Sequence, residues 1–296
     1  MIRRCIWLQW PTRKGPIGEK NLVLILYVYL MDKSIIKIEW KKKWNTTVIM
    51  TWVHGNERSG LAAFEKILPM VNISAWVVYF ITANLKAIQQ NVRFVEKNMN
   101  RCFRKRLKWN TYEENRAREI RKILNKSDYL LDIHNTPNKV SEAFLIWEEV
   151  KFIKYFPVQK FLSGIDGIQK WWSDGYMLNI WKVWFCLESG SIYDPNWPLN
   201  AEKSIINFLK LTGNIDGKAE ILANNQKHIA CKKMYKCKTN NFKLSRTFKD
   251  FDEVKKWELI WIDGEKKVVA KEDGLVLFAH DWDQIGKECF VFCVLK

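Results

Sequence analysis

His54 and Glu57 stand three residues apart in the segment His54-Gly55-Asn56-Glu57. On a nascent helical turn that spacing stacks both side chains on one face. A second histidine, His134, follows Asp132 by two residues, so on a strand the two point to the same side. Two histidines and one carboxylate are the protein ligands of a catalytic zinc centre, whose fourth position is left to water. Glu188 supplies what such a centre also needs, a carboxylate beside the metal that serves as general base rather than ligand. An isolated H-x-x-E describes a surface histidine at a turn equally well. The pattern gains weight from Asp132, His134 and Glu188 at separate strand ends.

Those residues need strands to deliver them. Residues 47–53 (TVIMTWV) read as a buried strand running into His54, and Leu61, Ala62, Phe64, Ile67 and Leu68 then show helical spacing up to Pro69. Further strands are expected at Val77–Thr82, at Tyr129–Ile133 ending at His134, and at Val183–Leu187 ending at Glu188. Thr111-Tyr112-Glu113-Glu114 is a capping box that opens a helix with Ile120, Ile123 and Leu124 on one face. A helix from Ala201 to Leu211 precedes Thr212-Gly213-Asn214-Ile215-Asp216-Gly217, which reads as a linker. Short apolar segments at Lys267–Ala270, Leu275–Phe278 and Phe290–Leu295 then alternate with Gly and Asp. The alternation of strand and helix predicts an α/β fold with a mainly parallel or mixed sheet flanked by helices, and a small C-terminal β domain. Its sites belong at strand carboxyl ends.

The 296 residues suffice for one large or two modest domains, and 48% apolar with 27% charged residues is globular composition. The formal charge of +17 suggests an anionic partner or substrate, whereas basic residues scattered along the chain are unlike a nucleic-acid footprint. Seven cysteines with no C-x-x-C pair indicate neither a zinc ribbon nor a disulfide framework, and point to a reducing cytoplasm. Leu22–Leu30 is the most apolar run, but a spanning helix needs about 20 such residues, so no membrane segment is expected. Residues 1–30 are assigned to an N-terminal extension outside the fold, 31–214 to a catalytic domain and 215–296 to the β domain. Oligomeric state is unreadable, and a homo-oligomer is compatible with all of this.

The segment His54-Gly55-Asn56-Glu57-Arg58-Ser59-Gly60 resembles the HGNE-x-x-G motif of the succinylglutamate desuccinylase/aspartoacylase family, relatives of the zinc carboxypeptidases. Asn84-Leu85-Lys86-Ala87 resembles its N-P-x-A motif, with Leu85 in place of Pro. Arg93 and Asn100-Arg101-Cys102-Phe103 resemble its R-x(6)-N-R-x-F block, although Asn98-Met99 replace the usual Asp-Leu. Leu131-Asp132-Ile133-His134-Asn135-Thr136 and Glu188-Ser189-Gly190 resemble the two remaining blocks, in the family's order and spacing. The resemblance covers roughly residues 32 to 296. It implies one zinc per chain held by His54, Glu57 and His134, with Glu188 as acid/base. It further implies that Arg93 polarises the scissile carbonyl, while Asn100 and Arg101 hold a substrate carboxylate. Asp132 would orient His134 or a neighbouring loop.

The activity so implied is hydrolysis of an N-acyl amino acid or similar amide bearing a carboxylate. A carboxypeptidase acting on a peptide or cell-wall fragment is the alternative enzyme, and a non-catalytic basic binding module on the same fold is the alternative of another class. His228 and His280 read as surface histidines, and Cys102 and Cys186 as small packing groups.

Tryptophan is anomalous: there are 16, against only 13 glycines. Trp52, Trp76, Trp109, Trp171, Trp172, Trp181, Trp184, Trp257, Trp261 and Trp282 include positions where turns are expected and positions where the family has glycine. One explanation is a Trp-rich pocket or partner surface. The preferred expectation is that many of these codons are UGA, read as glycine in the source. Glycine alone supplies a positive φ or a close backbone approach at little cost.

Overall fold

The computed structural model describes residues 34–40, 45–104, 110–139, 141–168, 172–281 and 284–296. The proposed extension, residues 1–30, lies outside them. The strands are β1 (Ile35–Glu39), β2 (Thr46–Thr51), β3 (Val77–Thr82), β4 (Tyr129–Thr136), β5 (Phe144–Ile146), β6 (Lys160–Ser163) and β7 (Val183–Ser191). They continue with β8 (Lys227–Lys236), β9 (Phe242–Leu244), β10 (Asp252–Val254), β11 (Leu259–Asp263), β12 (Lys266–Val269), β13 (Gly274–Leu277) and β14 (Glu288–Leu295). The helices are α1 (Ser59–Ile67), α2 (Leu85–Gln89), α3 (Tyr112–Leu124), α4 (Ile165–Ile168), α5 (Ser173–Asn179) and α6 (Trp197–Leu211).

Eleven strands form one mixed sheet in the order β1-β3-β2-β4-β7-β5-β6-β8-β14-β13-β10, and β12-β11-β9 form a second. The central run β3-β2-β4-β7 is parallel. Its strands are covered on both faces, which is why Thr47–Thr51 and Leu130–Thr136 are buried without alternation. α1 and α6 pack on each other and on β4. The α/β class expected from the sequence is the class observed.

Two short strands, β5 and β6, were not expected. They turn the sheet: β5 runs antiparallel to β7, and β6 pairs parallel with β8. The main sheet therefore passes without a break from the strands before Gly217 to those after it. A smaller apolar cluster, including Phe242, Val254, Ile260, Val276 and Phe290, sits among the C-terminal strands. No helix of the described residues is long and apolar enough to cross a membrane.

Four of the described tryptophans have positive φ: Trp52 (59°), Trp76 (69°), Trp181 (60°) and Trp257 (74°). Trp109, Trp171 and Trp282 lie outside the described residues.

Candidate metal centre

Parallel pairing brings the carboxyl ends of β2, β4 and β7 to one edge of the sheet, where a crevice can form. His54 lies just past β2, His134 near the end of β4, and Glu188 on β7 as the register partner of His134. The glycines of the first motif make the approach close. A Cβ on Gly55 would lie 2.2 Å from the Ala87 carbonyl carbon, and one on Gly60 would lie 1.8 Å from the Thr51 Oγ1. Glu57 is thereby brought over the end of β4. Asn135 fixes the joint, its Oδ1 accepting from the Ser59 N–H at 2.9 Å while its amide donates to Ser189 and Gly190 on β7.

His54, Glu57 and His134 converge, each offering a ligand atom within 4.8 Å of the others, and all three are buried. Glu57 faces both rings. Its Oε1 is 2.7 Å from His54 Nδ1 and its Oε2 is 2.9 Å from His134 Nδ1. Of the far nitrogens, His54 Nε2 hydrogen-bonds Asn98 Oδ1 at 3.1 Å, whereas His134 Nε2 lies 3.3 Å from Asp132 Oδ2 as an ion-pair contact without a hydrogen bond. Three buried donors of this type, with an oxygen near the far nitrogen of each imidazole, fit a zinc ion.

The electrostatics are uneven. Burial, with help from the Arg93 charge, lowers the pKa of His54 to about 4, so this ring is neutral at pH 7. Burial also opposes charge on His134, but the carboxylates of Asp132 and Glu57 outweigh it and hold that ring well above the usual histidine value. Glu57 likewise resists its own burial because of the two histidines and stays well below the usual carboxylate range. Glu188 is pushed up to about 8, chiefly by burial, and its Oε2 has no hydrogen-bond partner. Such an elevated carboxyl beside a ligand cluster is the property expected of a general acid/base.

Arg93 donates to Glu57 Oε1 at 3.1 Å, so its guanidinium reaches the cluster. Asn100 is buried in the 3₁₀ turn Met99–Arg101, with its Oδ1 unpartnered. Arg101 is otherwise engaged: its Nε donates to Glu288 Oε1 at 3.2 Å, and its Nη2 pairs with Glu288 Oε2. His228 and His280 are half-buried rather than exposed. His228 stacks on Phe161 with ring centres 4.3 Å apart and hydrogen-bonds Ser163 Oγ.

Sequence reasoning missed Glu113, whose carboxylate organises the loop bearing Arg93 and Asn98. It accepts the N–H groups of Val95, Glu96 and Lys97. It also missed Asp250, which is buried and accepts from Thr136 Oγ1, Asn138 Nδ2 and the Phe278 N–H beside the site. Neither lies in a spacing that announces its partner.

A family model described as the succinylglutamate desuccinylase/aspartoacylase catalytic domain matches residues 43–150, the segment carrying all three ligand candidates. Residues 43–150 are thus similar to this catalytic domain. A probable aspartoacylase from Nostoc sp. is 26% identical over 178 residues, 54% of this chain and 59% of that relative. A probable aspartoacylase from Trichodesmium erythraeum is 32% identical over 141 residues, 42% of this chain and 46% of the other. The aligned stretches thus span about half the length of these curated relatives. The solved succinylglutamate desuccinylase of Vibrio cholerae superposes with a TM-score of 0.77 at 17% identity, covering 88% of this chain and 85% of that one. At that identity the likeness speaks for the fold.

Proposed function

We propose that the chain is a zinc-dependent amidohydrolase that releases an amino acid from an N-acyl derivative bearing a carboxylate. The observation that carries this is the convergence of His54, Glu57 and His134, with the buried Glu188 as register partner of His134, in a chain whose residues 43–150 match this family's catalytic domain. Zinc in such a site lowers the pKa of water to near 7 and polarises a carbonyl. Glu188, buried and elevated, takes the proton of the attacking water and returns it to the leaving amine, which departs poorly as an anion. Arg93 brings a guanidinium to the edge of the cluster, suited to stabilise the developing oxyanion. Asn100 and Arg101 orient the substrate's carboxylate. We extend the reading to a small anionic substrate in a reducing cytoplasm, with residues 215–296 acting as a β domain beside the mouth.

The test is turnover across N-acetyl and N-succinyl amino acids, together with metal analysis. The expected result is about one zinc per chain, with activity lost on chelation and restored by zinc. Full activity in metal-free protein, or no turnover of any acyl amino acid by zinc-loaded protein, would overturn it.

A further inference from the structure

We propose that Glu288 is a specificity-determining residue, because it occupies the Arg101 fork that a substrate carboxylate would need. This rests on the function proposed above and names how that site selects its ligand. Glu288 stands at the start of β14, 187 positions along the chain from Arg101, yet its two oxygens meet the Nε–Nη2 edge of the guanidinium in the paired geometry typical of arginine and carboxylate, while Nη1 donates to the Asn100 carbonyl. The two side chains are only partly exposed, at 22% and 31%. A fork filled in this way is charge-neutral before any ligand arrives, so an incoming carboxylate binds by exchange. Glu288 has somewhere to go. Lys236 is its register partner on β8, with Nζ already 3.8 Å from Glu288 Oε1. Ligands with a strong, well-placed carboxylate complete the exchange, and those without one leave Glu288 in place.

The experiment is mass-spectrometric mapping of Arg101 modification by phenylglyoxal, in the full chain and in Glu288→Gln. Releasing a partly exposed ion pair should raise the modification rate of Arg101 about three- to fivefold. N-acetyl-L-aspartate, used as carboxylate probe, should then protect Arg101 at lower concentration in the variant than in the unchanged chain. An equal modification rate, or equal protection in both proteins, would overturn the proposal. Intact exchange behaviour alongside absent hydrolysis would overturn only the function proposed above.

A separate observation carries a second inference: the geometry points to glycine as the native residue at positions 52, 76, 181 and 257. Non-glycine residues with positive φ are a few per cent of a normal chain and are mostly Asn, Asp or His. Here four of the ten described tryptophans adopt it. Trp181 sits just past α5, with its N–H bonded to the Leu178 carbonyl and the Lys182 N–H bonded to the Met177 carbonyl. That pair of bonds is the Schellman ending, whose left-handed residue is usually glycine. Trp257 is the third residue of a turn closed by the Glu258 N–H on the Lys255 carbonyl, where a φ of 74° again calls for glycine. Both indoles are exposed, at 93% and 70%, so packing does not hold them there. Trp52 is buried with its indole N–H unpartnered. By contrast, Trp184 and Trp261 pack on aromatic neighbours and have no positive φ, which confines the inference, among the described residues, to four positions.

UGA is read as tryptophan in some genetic codes and as glycine in others, so one codon can account for all four. Peptide mass spectrometry of protein from the native source should find glycine at positions 52, 76, 181 and 257; tryptophan there would overturn the inference. In recombinant protein, Trp181→Gly and Trp257→Gly lose little buried surface and should each raise Tm by a few degrees. An unchanged or lower Tm in both would remove the conformational argument.

Discussion

The carboxylate of Glu113, at the first turn of α3, accepts the backbone N–H of Val95 at 2.7 Å. Through this bond, and those from Glu96 and Lys97, one buried side chain holds the loop that carries Arg93 to Glu57 and Asn98 to His54. Glu113→Ala should therefore cost about 2–4 kcal/mol, since several N–H groups lose a charged acceptor at once. Urea unfolding measures this. A loss below about 1 kcal/mol would mean that the loop holds itself.

Glu188→Gln keeps size and some hydrogen bonding but cannot accept the proton. Zinc content should stay near one per chain while kcat falls by at least ~10²-fold. Retained turnover would remove Glu188 from the mechanism, and lost zinc would make it a ligand.

Asp132 and Glu57 hold the His134 pKa well above the usual histidine value, which favours a proton on the ring. A metal must displace that proton from Nδ1, so zinc affinity should rise with pH until the ring is neutral, and binding near pH 7 should release protons. Calorimetry in buffers of different ionisation enthalpy counts them. Asp132→Asn should reduce the release and weaken zinc binding by roughly 10–100-fold, the usual effect of losing the group behind a ligating histidine.

Asp166 is pushed up to about 6, first by burial and then by the Glu148 charge. Its folded pKa exceeds its unfolded value, so the native state binds the extra proton between about pH 4 and 6. Its contribution to stability is thus full below that window and declines as pH rises through it. Asp166→Asn should flatten this part of the stability profile and raise Tm above pH 6 relative to the unchanged chain. Parallel melting curves across pH 4–8 would show the two proteins diverging; curves that stay parallel would contradict it.

The central strands were legible because burial on both faces leaves long apolar runs such as Thr46–Thr51 and Val183–Leu187. β5 and β6, of three and four residues, are too short to show a period, and β8 is rich in lysine although it joins the main sheet. The same contrast holds in the site. His54 and Glu57 are three residues apart and belong to one turn, so their partnership can be read locally. Arg101 and Glu288 meet only through the fold, and neither residue type nor spacing foretells that the expected carboxylate clamp is already engaged. The Thr111 cap was foreseen, with its Oγ1 accepting from the Glu114 N–H, whereas the neighbouring Glu113 spends its carboxylate on another loop.

The parallel seam between β6 and β8 has a consequence for how ligands enter. Four consecutive residue pairs, from Lys160–Lys227 to Ser163–Ala230, weld the C-terminal strands onto the strands that carry the cluster. A clamshell motion between the two halves would have to tear that seam, and a sheet bends far more readily than it unzips. On the exchange proposed above, admission would therefore fall to side chains such as the Arg101–Glu288 pair. Selectivity set in that way could be retuned one residue at a time without loosening the frame.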